Sequence, residues 1–309
     1  NIKNYKVWDD KQKKLFKNKR VKNLNKILEK VDYIVLSPGI SLVDKKNLIK
    51  FEKKIITDID FLYLTNKNFK SIVVTGTNGK STTCKLIGHL LKKNGFNALL
   101  GGNIGTPILD LKVIKNSYVV IEASSFQLSH SKFICPDYAI LLNITNDHLD
   151  WHGKMINYTN SKLKIFMHQQ KTQFAIINDK FKDIFKRRNY ASKLIISQKK
   201  NYQRIKNKII NHYINLKIND ENISFAYTLS KLLKINEKNF VTAVNSFVGL
   251  PHRYEIFFKK KNVVCINDSK ATTFESAKYA LSNSKNIYWI LGGLPKKNDK
   301  FFLSGIKQN

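Results

Sequence analysis

Arginine is scarce in this chain of 309 residues. Only five of its 55 basic side chains are arginine (Arg20, Arg187, Arg188, Arg204 and Arg253), and the other 50 are lysine. Acidic residues are few as well, 22 in all, which leaves a formal charge of +33. Such a balance suggests a polyanionic partner. Dedicated phosphate readers, however, favour the bidentate fork of arginine. The lysine excess also travels with abundant Asn, Ile, Phe and Tyr, all encoded by AT-rich codons, so nucleotide bias accounts for the charge. No interleaving of aromatic and basic residues supplies nucleic-acid readout, and none is expected as a partner. The three cysteines, Cys84, Cys135 and Cys265, lie far apart and form no CxxC pair, which excludes a disulfide framework and fits a reduced cytoplasm. No apolar run reaches the length of a membrane span, and the charged, polar N-terminus excludes a signal peptide. The first residue is Asn rather than Met, which reads as a fragment or a processed chain. Hydrophobic residues make up 42%, which excludes a disordered polycation.

What is present is an α/β rhythm. Residues 31–36 (VDYIVL) predict a buried strand running into a Ser37-Pro38-Gly39 turn, with a helix around 45–54. The polar stretch 66–70 reads as a linker. Residues 71–75 (SIVVT) predict a strand, 76–80 a glycine-bounded loop, and 81–94 a helix with Leu86, Ile87, Leu90 and Leu91 at helical spacing. Strands are expected at 118–121, 138–142 and 174–178, each a short apolar run typical of a sheet covered on both faces. Short strands are expected at 193–197 and 209–216, and helices at 223–233 and 237–247. A strand at 263–267, a helix from Phe274 and a strand at 287–291 predict the opening βαβ unit of a further domain.

Chemistry gathers at strand ends. Thr75-Gly76-Thr77-Asn78-Gly79-Lys80-Ser81-Thr82 joins a strand to a helix. Backbone N–H groups of such a loop cradle phosphate, Lys80 adds a point charge, and a Ser81 or Thr82 hydroxyl can ligate Mg²⁺. Val74 stands where a strict phosphate loop has its first Gly. Glu122 follows the strand YVVI, where an acid can hold Mg²⁺, and Ser124 and Ser125 share that edge. His148 and His152 have the i,i+4 spacing of a zinc pair, although no third ligand type stands out, and a single His beside Mg²⁺ is the other reading. Lys162 carries little information by itself among so many lysines. Arg253, an arginine in a lysine chain, sits at a junction and reads as a phosphate clamp or as a salt bridge to Glu255. Asn267-Asp268-Ser269-Lys270-Ala271-Thr272 ends a further strand, at a ligand position or a helix cap.

In this order, GTNGKST (76–82), GGNIGTP (101–107), EASSFQL (122–128), NITNDHLDWH (143–152), LPHRYE (250–255) and NDSKATT (267–273) resemble the Mur ligases of peptidoglycan synthesis. Within that family they are similar to the branch that adds D-glutamate to UDP-N-acetylmuramoyl-L-alanine. The resemblance implies a central phosphate-loop ATPase domain with a parallel-rich sheet, flanked by parts of N- and C-terminal Rossmann-like domains. The boundaries expected are 1–66 for the UDP-substrate part, 67–250 for the centre and 251–309 for the start of the amino-acid domain, with both ends truncated. It implies ATP and two Mg²⁺ ions, and a cytoplasmic monomer acting on small molecules. ATP would meet Gly76, Thr77, Asn78, Gly79, Lys80, Ser81, Thr82, Asn222, Arg253 and Asp268. The metals would meet Ser81, Glu122, His148 and Lys162, with Lys162 carbamylated. Gly39, Asn103, Ser124, Lys270, Thr272 and Lys296 would bind the substrates. The sequence departs from the family at Asn146, which replaces a usual Pro. It departs again at residues 221–225 (ENISF), where only Asn222 matches the adenine-side pattern HNxxN.

Overall fold

The computed structural model describes residues 4–9, 11, 16, 18–21, 23–42, 45–282 and 284–294. The expected central sheet is present and sets everything else. Near the N-terminus, α1 (Leu24–Lys30), β1 (Ile34–Val35), α2 (Lys46–Ile49) and β2 (Ile55–Ile56) form a small unit. Its two strands pair in parallel, and Leu28, Leu36, Leu48 and Ile55 pack together beneath them. The strand expected over 31–36 shrinks to two residues, because its recorded pairing with β2 is only two residues long. Helix α3 (Asp58–Thr65) leads into the centre. Its start is fixed by a capping box, in which Thr57 and Asp60 satisfy each other's backbone N–H groups.

The centre comprises β3 (Lys70–Thr75), α4 (Lys80–Lys93), β4 (Ala98–Gly102), β5 (Tyr118–Glu122), α5 (Ser125–His130) and β6 (Tyr138–Leu141). It continues with α6 (Leu149–His152), α7 (Met155–Leu163), β7 (Phe174–Asn178), α8 (Lys182–Arg187), β8 (Lys193–Ser197) and α9 (Lys199–Lys206), then α10 (His212–Asn215), α11 (Asp220–Leu232) and α12 (Glu237–Asn245). Six strands lie in the order β4-β5-β3-β6-β7-β8, all parallel. Because side chains alternate across a strand, Ile72 and Val74 enter one apolar layer with Leu86, Leu90 and Phe225. Val73 enters the other with Ile59, Leu128 and Phe166. Both faces are covered, as the short unbroken apolar runs require.

Beyond Leu250, β9 (Glu255–Lys260) and β10 (Val263–Asn267) precede α13 (Phe274–Ser282). Here the expectations need three corrections. First, β10 does not open a parallel βαβ unit. It pairs antiparallel with β9 across a tight turn, with a register shift between Cys265 and Ile266. Second, residues 287–291 are not in a strand. Third, the strand expected over 209–216 is replaced by α10. There the Asn211 side chain caps the helix, accepting from Ile214 N–H, while its amide donates to the carbonyls of Val244, Asn245 and Phe247. A capping Asn of this kind competes with strand geometry. No helix among the described residues is long and apolar enough to cross a membrane.

Candidate active site

The phosphate loop grows out of the middle of the sheet. Strand β3 lies between β5 and β6, so residues 76–79 open onto the crevice between two strand ends, the usual ligand position in parallel α/β sheets. Gly79 caps α4 with φ +83, and a Cβ there would stand 2.2 Å from the Asn222 Oδ1. Only glycine fits, on backbone and spatial grounds alike. Gly79→Ala is expected to cost at least about 1–2 kcal/mol from left-handed backbone alone, lowering the melting temperature by at least about 2–4 °C. An unchanged thermal melt would remove Gly79 from this role.

Asn143, two residues beyond β6, holds the loop. Its Oδ1 accepts from Asn78 N–H at 2.8 Å and Thr77 N–H at 3.1 Å, and its carbonyl accepts from Thr77 N–H at 2.9 Å. The Thr77 hydroxyl shares a 2.9 Å hydrogen bond with the Tyr158 hydroxyl on α7. Lys80 folds back over the loop, donating to the carbonyls of Gly76 at 3.0 Å and Thr77 at 2.8 Å. Burial pushes its pKa below the usual lysine range, and the charge of Glu122 opposes that shift. The first-turn N–H groups of α4, which lack intrahelical partners, make an anion site with it.

Glu122 ends β5 and is 2% exposed. Its Oε1 accepts from the Asn103 side-chain amide at 2.9 Å, whereas its Oε2 is buried with no hydrogen-bond partner. Asn103 is steered there by its own N–H, which donates to the Glu122 carbonyl at 2.9 Å. Gly102 makes that approach feasible, since a Cβ on it would lie 2.3 Å from the same carbonyl.

Lys162, on α7, is 1% exposed. Its Nζ donates to the Gly76 carbonyl at 2.7 Å and sits 4.5 Å from the centre of the Tyr158 ring. Burial first, and then repulsion by Lys80, lower its pKa to about 6. The side chain read as uninformative is therefore packed against the phosphate loop. His148 has left-handed backbone (φ 52) at the start of α6. Its Nε2 lies 3.3 Å from Asp147, and its ring lies 4.7 Å from that of Phe126. His152 packs on the same Phe126 and Tyr158 rings but lies deeper. It is buried, stacks on Phe126 and places Nε2 3.0 Å from the Ser125 hydroxyl. Burial, with His148 second, lowers its pKa to about 4. Among the described residues no three His, Cys, Asp or Glu side chains converge as a metal cluster.

A cleft of about 580 Å³ is lined by Thr77, Asn78, Gly79, Lys80, Ser81, Lys85, Asn103, Ile104 and Glu122 on one side, and by Leu250, Pro251, His252, Arg253 and Lys270 on the other. Arg253 lies near enough to Lys80 to depress its pKa. The Glu255 carboxylate, one reading's partner for Arg253, accepts from His252 N–H at 2.7 Å. Lys270 N–H donates to the His252 carbonyl, which ties the two segments of the far wall together.

Other sequence-derived candidates lie outside the lining of this cleft. Ser124 caps α5 in a box with Gln127, whose amide donates to Asp58. Thr82 is buried. Asn222 sits beneath the loop, accepting from the Thr83 hydroxyl and donating to Asn219. Asp268 accepts from Tyr254 N–H at 2.9 Å, and burial raises its pKa. Thr272 is exposed, and Gly39 is exposed in a turn of the N-terminal unit. Lys296 lies outside the described residues. Sequence reasoning assigned no role to Asn143, Tyr158, Asn178, Glu221 or His252. Of these, Asn143 and His252 lie within the quoted motifs, and Glu221 marks a break in a pattern.

Fold and site together define a parallel α/β protein with a phosphate loop at the strand crossover. Residues 74–246 match the Mur ligase middle domain. The UDP-N-acetylmuramoylalanine--D-glutamate ligase of Rickettsia felis is 39% identical over 87% of this chain and 65% of its own length. That of Rickettsia prowazekii is 36% identical over 97% of this chain and 73% of its own. The chain therefore spans about two thirds of the length of these relatives, and it belongs to the Mur ligase family. Among solved structures, MurF from Acinetobacter baumannii superposes with a TM-score of 0.56 at 17% identity, over 72% of this chain and 55% of that one. MurF ligase from Thermotoga maritima in complex with ADP gives 0.52 at 19%, over 74% and 62%. At these identities they establish the fold.

Proposed function

We propose that this chain carries the ATP site of a ligase joining D-glutamate to UDP-N-acetylmuramoyl-L-alanine. The observation that supports this reading most is the single cleft on which the phosphate loop, the Glu122 carboxylate, Arg253 and Lys270 converge. The Mur ligase match and the names of the relatives point the same way. In the reaction, the γ-phosphoryl group of ATP passes to the L-alanine carboxylate and gives an acyl phosphate. The D-glutamate amine attacks the acyl carbon, loses a proton and expels phosphate as the amide forms.

Residues 76–82 would hold the ATP phosphates, with Lys80 and Arg253 offsetting their charge. Asp268 would meet the ribose, and Asn222 the adenine side. Gly39, Asn103 and Ser124 would serve the UDP-muramoyl substrate, and Lys270, Thr272 and Lys296 the amino acid. The residues present fit Mg²⁺, since a buried carboxylate oxygen without a partner is what a hard cation satisfies. Ser81 and Glu122 would hold one ion, and Glu122, His148 and a carbamylated Lys162 the second. Bound Mg²⁺ supplies charge neutralisation at the transferring phosphoryl group. For carbamylation, the Lys162 Nζ lone pair forms a bond to the carbon of CO₂, one C=O pair moves to oxygen, and the nitrogen releases a proton. The neutral amine becomes an anionic carbamate.

The reading includes a cytoplasmic monomer with small-molecule substrates and no nucleic acid. The intact gene product is expected to release ADP only when both UDP-N-acetylmuramoyl-L-alanine and D-glutamate are supplied. Turnover with a different amino acid, and none with D-glutamate, would overturn the assignment.

A further inference from the structure

We propose that Glu221 is a positioning residue for the ATP phosphates, acting through the orientation of the Asn143 amide; this rests on the nucleotide-binding part of the reading above. Asn143 is 7% exposed. Its side chain makes contacts of two kinds. Oδ1 accepts from the N–H groups of Thr77 and Asn78. Nδ2 donates to the Asn78 carbonyl at 3.2 Å and to Glu221 Oε2 at 3.0 Å. The two ends of a carboxamide have nearly the same shape, so their partners decide which way it points.

Glu221 reinforces the orientation that the Thr77 and Asn78 backbone groups favour, because a carboxylate accepts and does not donate. Its second oxygen, Oε1, accepts from the Asn178 amide at 3.1 Å, at the end of β7. Glu221 stands in the first turn of α11 and therefore bridges the ends of two neighbouring strands. With Asn143 held this way, Thr77 and Asn78 N–H are committed to the protein. The N–H groups that open α4 are left for phosphate. The next residue, Asn222, touches Gly79 from below, so one helical turn fixes the loop at two points.

The test uses ADP binding to the full-length chain and steady-state kinetics. Glu221→Gln keeps the volume but sets a donor against Asn143 or Asn178. ADP affinity and the KM for ATP are expected to weaken about tenfold, with kcat and the KM of the other substrates nearly unchanged. Asn143→Asp sets two carboxylates face to face and is expected to weaken binding further. In N143D/E221Q the glutamine amide can donate to the new carboxylate, and ADP affinity is expected to return to within about threefold of wild type. Wild-type affinity in Glu221→Gln, or a double variant no better than N143D, would overturn the inference. ADP binding needs no amino acid, so a wrong assignment of D-glutamate leaves the wild-type measurement intact and cannot imitate either result.

Discussion

Lys162→Ala is expected to lower ligase turnover by at least about a hundredfold, with formate or acetate restoring part of it. The side chain is enclosed beside Lys80, and its pKa of about 6 leaves the amine neutral at physiological pH. A neutral amine is the nucleophile that CO₂ requires. Small carboxylates would occupy the space left by the truncated side chain and replace the lost anion. Stripping CO₂ and bicarbonate from wild-type enzyme is expected to reduce its rate in the same direction. Full activity in the alanine variant would remove Lys162 from the site. Stability gives a second readout. The ordinary lysine value is 10.5, so between about pH 6 and 10.5 the unfolded chain holds a proton that the folded chain has given up. Stability should therefore rise with pH across that window. Lys80, also lowered by burial, contributes with the same sign. In CO₂-free buffer, Lys162→Met should flatten the rise in denaturation midpoint between pH 7 and 9.5. An equally steep rise would show that Lys162 is not buried as a neutral amine.

Glu122→Gln is expected to separate activity from stability. The carboxylate is buried, and one of its oxygens lacks a partner, an arrangement that costs free energy in a protein without ligands. Replacing it with a carboxamide of the same shape removes a buried charge. The Asn103 amide can still donate to the remaining carbonyl oxygen. The melting temperature should therefore hold or rise, while kcat falls about a thousandfold, the scale of several kcal/mol of lost charge stabilisation. A variant that keeps its rate would show that the phosphoryl group is stabilised without Glu122. A variant that loses both rate and stability would show that the side chain is part of the packing instead.

The sheet and its loop were legible because they are local. Residues 174–178 and 193–197 form strands at the expected limits, since each is an apolar run bounded by polar residues. The loop announces itself through two glycines and a lysine between a strand and a helix. Strand β4 was missed because half of its last four residues are glycine. Strand β9 was missed because lysines close a run of only three apolar residues. Its antiparallel pairing with β10 depends on a turn at Lys261, a non-glycine residue with φ 48, where Asn262 is the one turn-forming residue. The supports of the site were illegible for a different reason. Asn143 reaches Asn78 across 65 positions and Glu221 across 78, so only the strand order brings them together. Apart from the family resemblance, Lys162 is informative only through its burial, which periodicity on a short helix does not specify.

That strand order also has a consequence in time. Thr75 bonds to Ala123, 48 positions further on, and Thr77 bonds to Asn143, 66 positions further on. The strand that carries the loop thus has both of its neighbours downstream. During synthesis it must wait, apolar on both faces and with neither edge paired, until β5 and β6 have emerged. Such non-local parallel pairing is slow and leaves sticky edges bare in the interval. The phosphate cradle can therefore form only after the chain as far as Asn143 has been made.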